Sequence, residues 1–322
     1  MRWGFVLALC VSAAPARADF WRATGSGQAA RQRAALVAEG DRYLLQAQSA
    51  LATVGQEDPT PPIVQSAARS AVAAYERALA VAEDADVHYR AFFAARFIDD
   101  RRGDICAACR DGFEAIVRHA DAVFRIDPRS SAARDLAFDS CLALSKLGGM
   151  AGAEADGYFE RALQMYERFR SLVDDVSDTR GAQSRAISYS NAAELHMALG
   201  RLDEAIDYYR RAIETYPSES LHYYGLAVAY DRDGQWRKAS SAMKTALELS
   251  HYVGLNRLRK SDVFFVPQGD VFFYLGLAHE VLGNRDGALD NYNRFLARSP
   301  GNRYLDRARE HIRELDAGGA RK

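Results

Sequence analysis

The chain has 322 residues, of which 48% are hydrophobic, so it is long enough to bury a large interior. Its 42 basic and 43 acidic side chains leave a formal net charge of −1. Nucleic-acid binders concentrate positive charge, so this even balance predicts that the chain has no nucleic-acid partner.

The N-terminus has the form of a secretory signal peptide. Residues 1–2 are a short basic start, residues 3–14 are mostly apolar, and residues 16–18 read Ala-Arg-Ala, as a cleavage site does. We therefore expect residues 1–18 to be removed and the protein to be exported, either to the periplasm or out of the cell. Lipid attachment at Cys10 is disfavoured, because a small residue should stand where Leu9 stands. No apolar run is long enough to span a bilayer, so we expect no transmembrane span in the mature chain.

The next part of the chain, residues 29–180, is predicted to form three uneven helical hairpins after a loose terminus at 19–28. Apolar residues recur at helical spacing, and three prolines within 56–62 separate the first two helices. The predicted segments are a hairpin of helices 29–54 and 63–82, a hairpin at 85–127 turning at 99–104, and a hairpin at 130–173 turning at Gly148-Gly149. The second helices share one spacing of apolar residues, seen in Ala71, Tyr75, Ala78 and Leu79 and again in Ala155, Phe159, Ala162 and Leu163. In the second hairpin His119 takes the place of the large apolar residue.

A regular repeat follows the polar joint at residues 174–181. Two copies in residues 186–253 lie 34 residues apart, so that Gly200 recurs as Gly234. A third copy starts at Gly269, after an insertion at 254–268. A period of this length is typical of stacked helix–turn–helix units, which bury their apolar faces against one another.

Residues 186–302 resemble the tetratricopeptide repeat (TPR) family. The residues that carry the resemblance are the small ones at Ala193, Ala227, Gly276, Ala205, Ala239 and Ala288, the packing aromatics Tyr189, Tyr223 and Phe272, the space-filling Tyr209, Met243 and Tyr292, and the helix-ending Pro217 and Pro300. The resemblance implies an all-α, right-handed solenoid of about six helical hairpins. A polar helix at 303–316 is then expected to cap the stack.

The family also implies a groove, lined by the first helix of each hairpin, that binds a protein or peptide. The matching residues here are Ile187, Ser190, Glu194, Met197, Leu221, Tyr224, Val228, Asp231, Phe273, Leu277 and Glu280. Carboxylates in this set would favour Lys or Arg on the partner. A clamp of cationic residues on a partner's C-terminus is not indicated, because the matching places hold none.

Tyr224 and Phe273 would be neighbours on adjacent hairpins. One interpretation is that they form an aromatic anchor for a partner, because rings give a large contact area at low entropic cost. The alternative is that both rings pack between the hairpins.

The insertion interrupts the period and carries Arg257, Arg259, Phe264 and Phe265. One hypothesis is that it folds over the mouth of the groove and covers or extends the binding surface. The alternative is an ordinary extension whose aromatic residues pack into the stack.

Three cysteines remain after removal of the signal peptide: Cys106, Cys109 and Cys141. In an oxidising compartment we expect one disulfide and one odd thiol. Cys106 and Cys109 could pair with each other, or either could bridge to Cys141. A redox role for the Cys-Ala-Ala-Cys sequence is the alternative, although no thioredoxin-like pattern surrounds it.

No other catalytic, metal or cofactor motif stands out. The Gly-x-Ser-x-Gly elbow, the phosphate loop and the His-Glu-x-x-His zinc motif are absent from the sequence. The sequence therefore predicts a non-catalytic, cofactor-free adaptor of the cell envelope. The alternatives are a redox protein acting through Cys106 and Cys109, and a structural component of an envelope assembly that uses its outer surface.

Overall fold

The computed structural model describes residues 27–54, 60–98, 107–173, 179–251, 266–267 and 269–318. These residues form thirteen α-helices and no strand, so the expected all-α class is confirmed for the part described. The helices are α1 (Gly27–Leu51), α2 (Pro62–Val81), α3 (Ala85–Ala95), α4 (Arg110–Ile126), α5 (Ala133–Met150), α6 (Ala155–Val173), α7 (Thr179–Ala198), α8 (Leu202–Thr215), α9 (Ser220–Arg232), α10 (Trp236–Leu249), α11 (Asp270–Val281), α12 (Arg285–Arg298) and α13 (Leu305–Asp316).

Consecutive helices pack as six hairpins, from α1/α2 to α11/α12, and each hairpin packs on the next. The chain is therefore an α-solenoid with α13 packed on α12 at its C-terminal end. Within the described residues no helix is both long enough and apolar enough to cross a membrane.

The periodic glycines end the first helix of each regular hairpin. Gly200, Gly234 and Gly283 have φ values of 81°, 75° and 74°, in the left-handed region that a residue with a Cβ enters only at a cost. This geometry lets the amide of the following residue reach back to the helix, as Arg201 N does to the carbonyl of His196 at 2.8 Å. The glycine that made the repeat visible is therefore required by the tight turn between two helices.

The core lies between the helices at the positions that the spacing indicates. Tyr209, Met243 and Tyr292 are fully buried in the three regular hairpins, and Tyr75 is fully buried in the first. His119, the exception to the apolar pattern, is also buried, and its Nδ1 lies 2.9 Å from Nδ1 of His88. A polar side chain is accommodated there because it has a polar partner on α3.

One predicted turn is in a different place. Gly148 and Gly149, expected to form the turn of the third hairpin, lie inside α5, which continues to Met150. A Cβ at position 148 would collide with the ring of Phe159 on α6. Gly148 is therefore a point of close helix approach, and the chain turns just after it.

Candidate functional site

The candidate site is the surface of α7, α9 and α11 on which the family resemblance places a binding groove; we call it the inner face. Nearly all of its predicted residues are buried, namely Ser190, Glu194, Met197, Leu221, Tyr224, Val228, Asp231, Phe273 and Leu277. Ile187 and Glu280 are partly buried. The structure brings these residues together, but in this conformation they face other parts of the same chain.

The two aromatic residues proposed as an anchor pack inside the stack. Phe273 makes edge-on contacts with Tyr292 and Phe295 of α12, with ring centroids 5.5 and 5.3 Å apart. Tyr224 is fully buried, and its hydroxyl lies 2.9 Å from the hydroxyl of Ser250. These contacts lie within the hairpins α9/α10 and α11/α12, so both rings are part of the packed interior of the stack in this conformation.

Acidic residues of the inner face hold the last helix. Asp231 accepts hydrogen bonds from Arg307 of α13 at 2.6 and 3.1 Å. His311 of the same helix lies between two carboxylates, with Nε2 2.8 Å from Asp231 and Nδ1 2.7 Å from Glu280. Both nitrogens can donate only when the ring is the imidazolium cation, so this arrangement holds a charged histidine.

The pKa values of this group follow from its contacts. Burial alone would lower the pKa of His311, but hydrogen bonds to Asp231 and Glu280 outweigh burial and raise this pKa above its usual value. Burial would raise the pKa of Asp231, but His311 and Arg307 lower it to about 2. Both shifts favour the charged forms of His311 and Asp231, in agreement with the hydrogen-bond geometry.

A third acidic residue of the inner face, Glu194, lies deeper. Glu194 is fully buried, and its Oε1 accepts hydrogen bonds from the hydroxyls of Tyr209 and Tyr274. Its other oxygen has no hydrogen-bond partner among the described residues. Burial raises the pKa of Glu194 to about 8 even though both tyrosines favour the charged form, so the side chain is largely protonated at neutral pH.

The buried cation of the inner face is Arg232. It donates to Asp270 at 2.8 Å, and Asn302 donates to the other oxygen of Asp270 at 2.6 Å. The guanidinium carbon of Arg232 also lies 4.1 Å from the centre of the Tyr304 ring. Residues that follow the last hairpin thus complete the surroundings of Arg232.

The connection before α13 reaches further back along the chain. Tyr304 donates its hydroxyl to the carbonyl of Met197 at 2.7 Å. Arg303 donates to the carbonyl of Ala198 at 3.1 Å and to Asp156 of the third hairpin at 2.7 Å. We refer to residues 302–316 as the C-terminal segment: it does cover the end of the stack, as expected of a cap, but it also lies across the inner face.

The remaining candidate residues lie elsewhere. Tyr189 packs against Tyr208, and Phe272 lies under Arg294 and Arg298, which agrees with the packing role expected of both rings. Within the described ranges, no group of three or more His, Cys, Asp or Glu side chains could hold a metal ion.

The cysteines divide into two cases. Cys141 is a free, buried thiol, and burial raises its pKa well above the usual value. Because Cys141 is free, the expected alternative of a bridge from Cys106 or Cys109 to Cys141 is not formed. Cys109 is buried and Cys106 lies outside the described residues, so the pairing of these two stays a prediction. The insertion residues Arg257, Arg259, Phe264 and Phe265 also lie outside the described residues.

Tyr274, Tyr304, Arg307 and His311 belong to the site, yet the sequence did not single them out as binding residues. The one available signal was the spacing of Arg307 and His311, four residues apart on a predicted helix, which places both on the same side of it. That spacing does not indicate which surface the helix meets.

Comparison with known proteins identifies the repeats. Residues 184–250 and residues 224–303 each match a model of the tetratricopeptide repeat. A TPR repeat-containing protein of Methanocaldococcus jannaschii is 25% identical over 85 residues, which are 26% of this chain and 15% of that protein. The chain thus spans only a small part of the length of that relative.

Solved structures of similar proteins share little sequence with the chain. MamA of AMB-1 is 18% identical, with 66% of this chain and 97% of that chain covered and a TM-score of 0.42. PilW, a widely conserved type IV pilus biogenesis factor, is 14% identical, with 83% and 96% covered and a TM-score of 0.41. A tetratricopeptide repeat protein from Parabacteroides merdae is 14% identical, with 64% and 66% covered and a TM-score of 0.38.

Proposed function

We propose that this chain, which is a tetratricopeptide-repeat protein over residues 184–303, is a non-catalytic scaffold that binds a protein or peptide in the cell envelope. Repeats of this family suggest protein partners and are typically found in scaffolds without chemistry of their own.

The observation that carries the proposal is the docking of a helical segment on the inner face. Asp231 and Glu280 hold Arg307 and His311 through directed hydrogen bonds, which is how a scaffold recognises a helix by its side chains. A surface of α7, α9 and α11 that accommodates one helix has the shape and charge to accommodate another.

The scaffold function is tested with the chain from residue 19 onwards as bait on an envelope extract. Each recovered protein is then purified and titrated against the bait by calorimetry, and we expect at least one to bind saturably. The control bait carries Glu204→Lys and Glu214→Lys, two exposed substitutions on α8 that leave the inner face unchanged. Equal binding to this control supports the inner face, and lost binding supports the rival use of the outer surface. The absence of any saturable partner contradicts the function itself.

The insertion at 254–268 is proposed to extend the binding surface. Its cationic and aromatic side chains would supply contacts at the edge of the inner face, next to α10 and α11. Deleting residues 257–265 should weaken binding of the recovered partner and leave the melting temperature unchanged, because the deletion keeps Val266, which packs against the core. Unchanged binding together with unchanged melting rejects this role.

Export is tested separately. Residues 1–30 are fused to an alkaline phosphatase that is active only after export, and we expect activity. Leu7→Arg together with Leu9→Arg, which break the apolar run, should abolish that activity. Equal activity of the two fusions, or none from either, contradicts an envelope location.

The redox rival depends on Cys106 and Cys109. Thiol titration of the purified mature chain in denaturant distinguishes the two ideas: a stable disulfide that resists glutathione supports a structural role. A disulfide that glutathione readily reduces supports redox chemistry and contradicts the non-catalytic proposal.

A further inference from the structure

The C-terminal segment is held by directed polar contacts on the inner face and by partial apolar packing. Tyr304, Leu305, Ile312 and Leu315 are partly buried against the core. Only Ala308 and His311 of α13 are buried, whereas every residue of α9 except Tyr223 is buried. Apolar burial is the main source of docking free energy, and α13 buries its apolar side chains only in part, so its hydrogen bonds and charges add substantially to its docking. Such a helix can leave its seat while the rest of the stack stays folded.

The part of the inner face that the segment covers is acidic. Without the segment, Asp231 would lose its contacts to Arg307 and His311, Glu280 would lose its contact to His311, and Asp270 would keep Arg232. Carboxylates this poorly exposed to solvent need an opposite charge in contact with them. Any replacement for the segment must therefore bring at least two cations to this surface.

The spacing of these groups on the segment defines the replacement further. Tyr304 packs against Arg232 and reaches the backbone of α7, Arg307 meets Asp231, and His311 lies between Asp231 and Glu280. These are an aromatic residue followed by cations three and seven positions later, on one side of a helix. The exposed Pro300 and Gly301 form the turn that precedes the segment, closed by the amide of Asn302, which donates to the carbonyl of Ser299 at 2.9 Å.

We propose that residues 302–316 are a resident ligand of the inner face, and that the partner bound there is a basic helical segment with the same aromatic–cation–cation spacing, which displaces them. This inference rests on the scaffold function and names the class of its partner. The incoming helix makes the hydrogen bonds that Arg307 and His311 make within the chain, and the displaced helix is released into solvent.

The test uses a fluorescent peptide of residues 301–318 and the full mature chain. Arg307→Gln with His311→Gln in the chain weakens the resident helix, and we expect this variant to bind the peptide at least tenfold more tightly than the wild type, as measured by anisotropy. A peptide with the same two substitutions should bind at least tenfold more weakly than the native peptide.

The matched control is a peptide with Arg309→Gln and Arg313→Gln. These side chains lie on the exposed side of α13, so this peptide loses two cations without losing any contact to Asp231 or Glu280. It should bind like the native peptide. Equal weakening of the two substituted peptides would mean general charge attraction and would overturn the proposal.

A second measurement covers the case in which the double variant does not fold. Excess native peptide should accelerate hydrogen exchange of residues 305–316 in the wild-type chain and leave exchange in α9 unchanged. Unchanged exchange in α13 overturns displacement. Light scattering could instead detect a concentration-dependent dimer in which α13 is exchanged between copies. A second copy of the chain would then be the occupant, and the proposal of a basic helical partner would be overturned.

The test of displacement and the test of the scaffold function can fail independently of each other. A partner that binds the full chain but is not competed by the native peptide keeps the scaffold function and rejects this inference. If the chain binds the peptide as expected but binds no protein, the inner face is a site for the C-terminal segment and the scaffold function is rejected.

Discussion

At the scale of single residues, Asp231 holds two side chains of a distant helix. Replacing it with Asn removes the negative charge that Arg307 and His311 face, while its own side chain has no exposure to solvent. Breaking a buried ionic group by removing one partner costs about 3–5 kcal/mol. We expect Asp231→Asn to lower the free energy of unfolding by this amount in urea titrations.

The matched control for this change is Asp207→Asn. Asp207 pairs with Arg211 at 2.8 Å on the surface of α8, with about half of each side chain exposed. Exposed pairs of this kind contribute less than about 1 kcal/mol. Similar losses from both substitutions would contradict the view that Asp231 is a buried anchor.

Glu194 makes stability depend on pH. Its pKa rises from 4.5 to about 8 on folding, so between these values the unfolded chain releases a proton that the folded chain keeps. Stability from this residue is therefore present below pH 4.5 and is lost as the pH rises towards 8. At about 1.4 kcal/mol per pKa unit, the loss amounts to a few kcal/mol.

Glu194→Gln removes this dependence, because the amide oxygen still accepts from Tyr209 and Tyr274 while carrying no charge at any pH. We expect unfolding free energies of this variant to vary less between pH 5 and 8 than those of the wild type. A remaining slope of the same sign comes from His311, whose raised pKa is set by Asp231 and Glu280. The exposed substitution Glu204→Gln should leave the wild-type slope intact; an unchanged slope in Glu194→Gln contradicts the assignment.

At the scale of helices, Gly225 sets the approach of α9 to α8. A Cβ there would meet the ring of Tyr209, which is fully buried and cannot move aside. Overpacking of this kind costs about 1–3 kcal/mol. We expect Gly225→Ala to destabilise the chain by that amount in thermal or urea unfolding.

Gly157→Ala is the control, since Gly157 also lies in a helix but a Cβ there has nothing within 4 Å. Alanine favours helix over glycine, so this change should stabilise the chain by up to about 1 kcal/mol. If both substitutions stabilise, the close approach at Gly225 is not a constraint.

Much of the packing between the helices of each hairpin was predictable from the sequence. The spacing of Ala205, Tyr209 and Ala212 indicated the packed side of α8, and Gly200 marked the turn before it. The burial of the inner face was not predictable, because Glu194 meets Tyr274 80 residues later and Met197 meets Tyr304 107 residues later. Such contacts depend on the curvature of the stack of hairpins. This curvature is set by small tilts between successive hairpins, which the local spacing of apolar residues does not indicate.

At the scale of the whole molecule, the buried apolar residues in the described part of the chain form two large clusters. One runs from Ala47 to Leu195, and the other from Ala193 to Ala308, so that they divide within α7. Stability in a stacked-repeat protein is approximately a sum over hairpins and their interfaces. We therefore expect the two clusters to unfold as separate units.

Hydrogen exchange measured by mass spectrometry in increasing urea tests this expectation. Gly225→Ala should lower the urea concentration at which α8–α12 open and leave α2–α5 unchanged. Gly148→Ala, which places a Cβ against Phe159, should do the reverse. One transition shared by all segments, shifted alike by both substitutions, would show that the two clusters fold as one.

The contacts of the C-terminal segment also determine the order in which the parts of the inner face are completed. Arg303 meets Asp156, which is made 147 residues earlier, and Tyr304 meets Met197. A chain that is exported through an N-terminal signal peptide crosses the membrane from that end, so the three hairpins of the inner face emerge before the residues that cover them. Each newly made molecule therefore passes through a period in which Asp231 and Glu280 are uncovered. A basic helix that encounters the emerging chain in this period binds without having to displace residues 302–316.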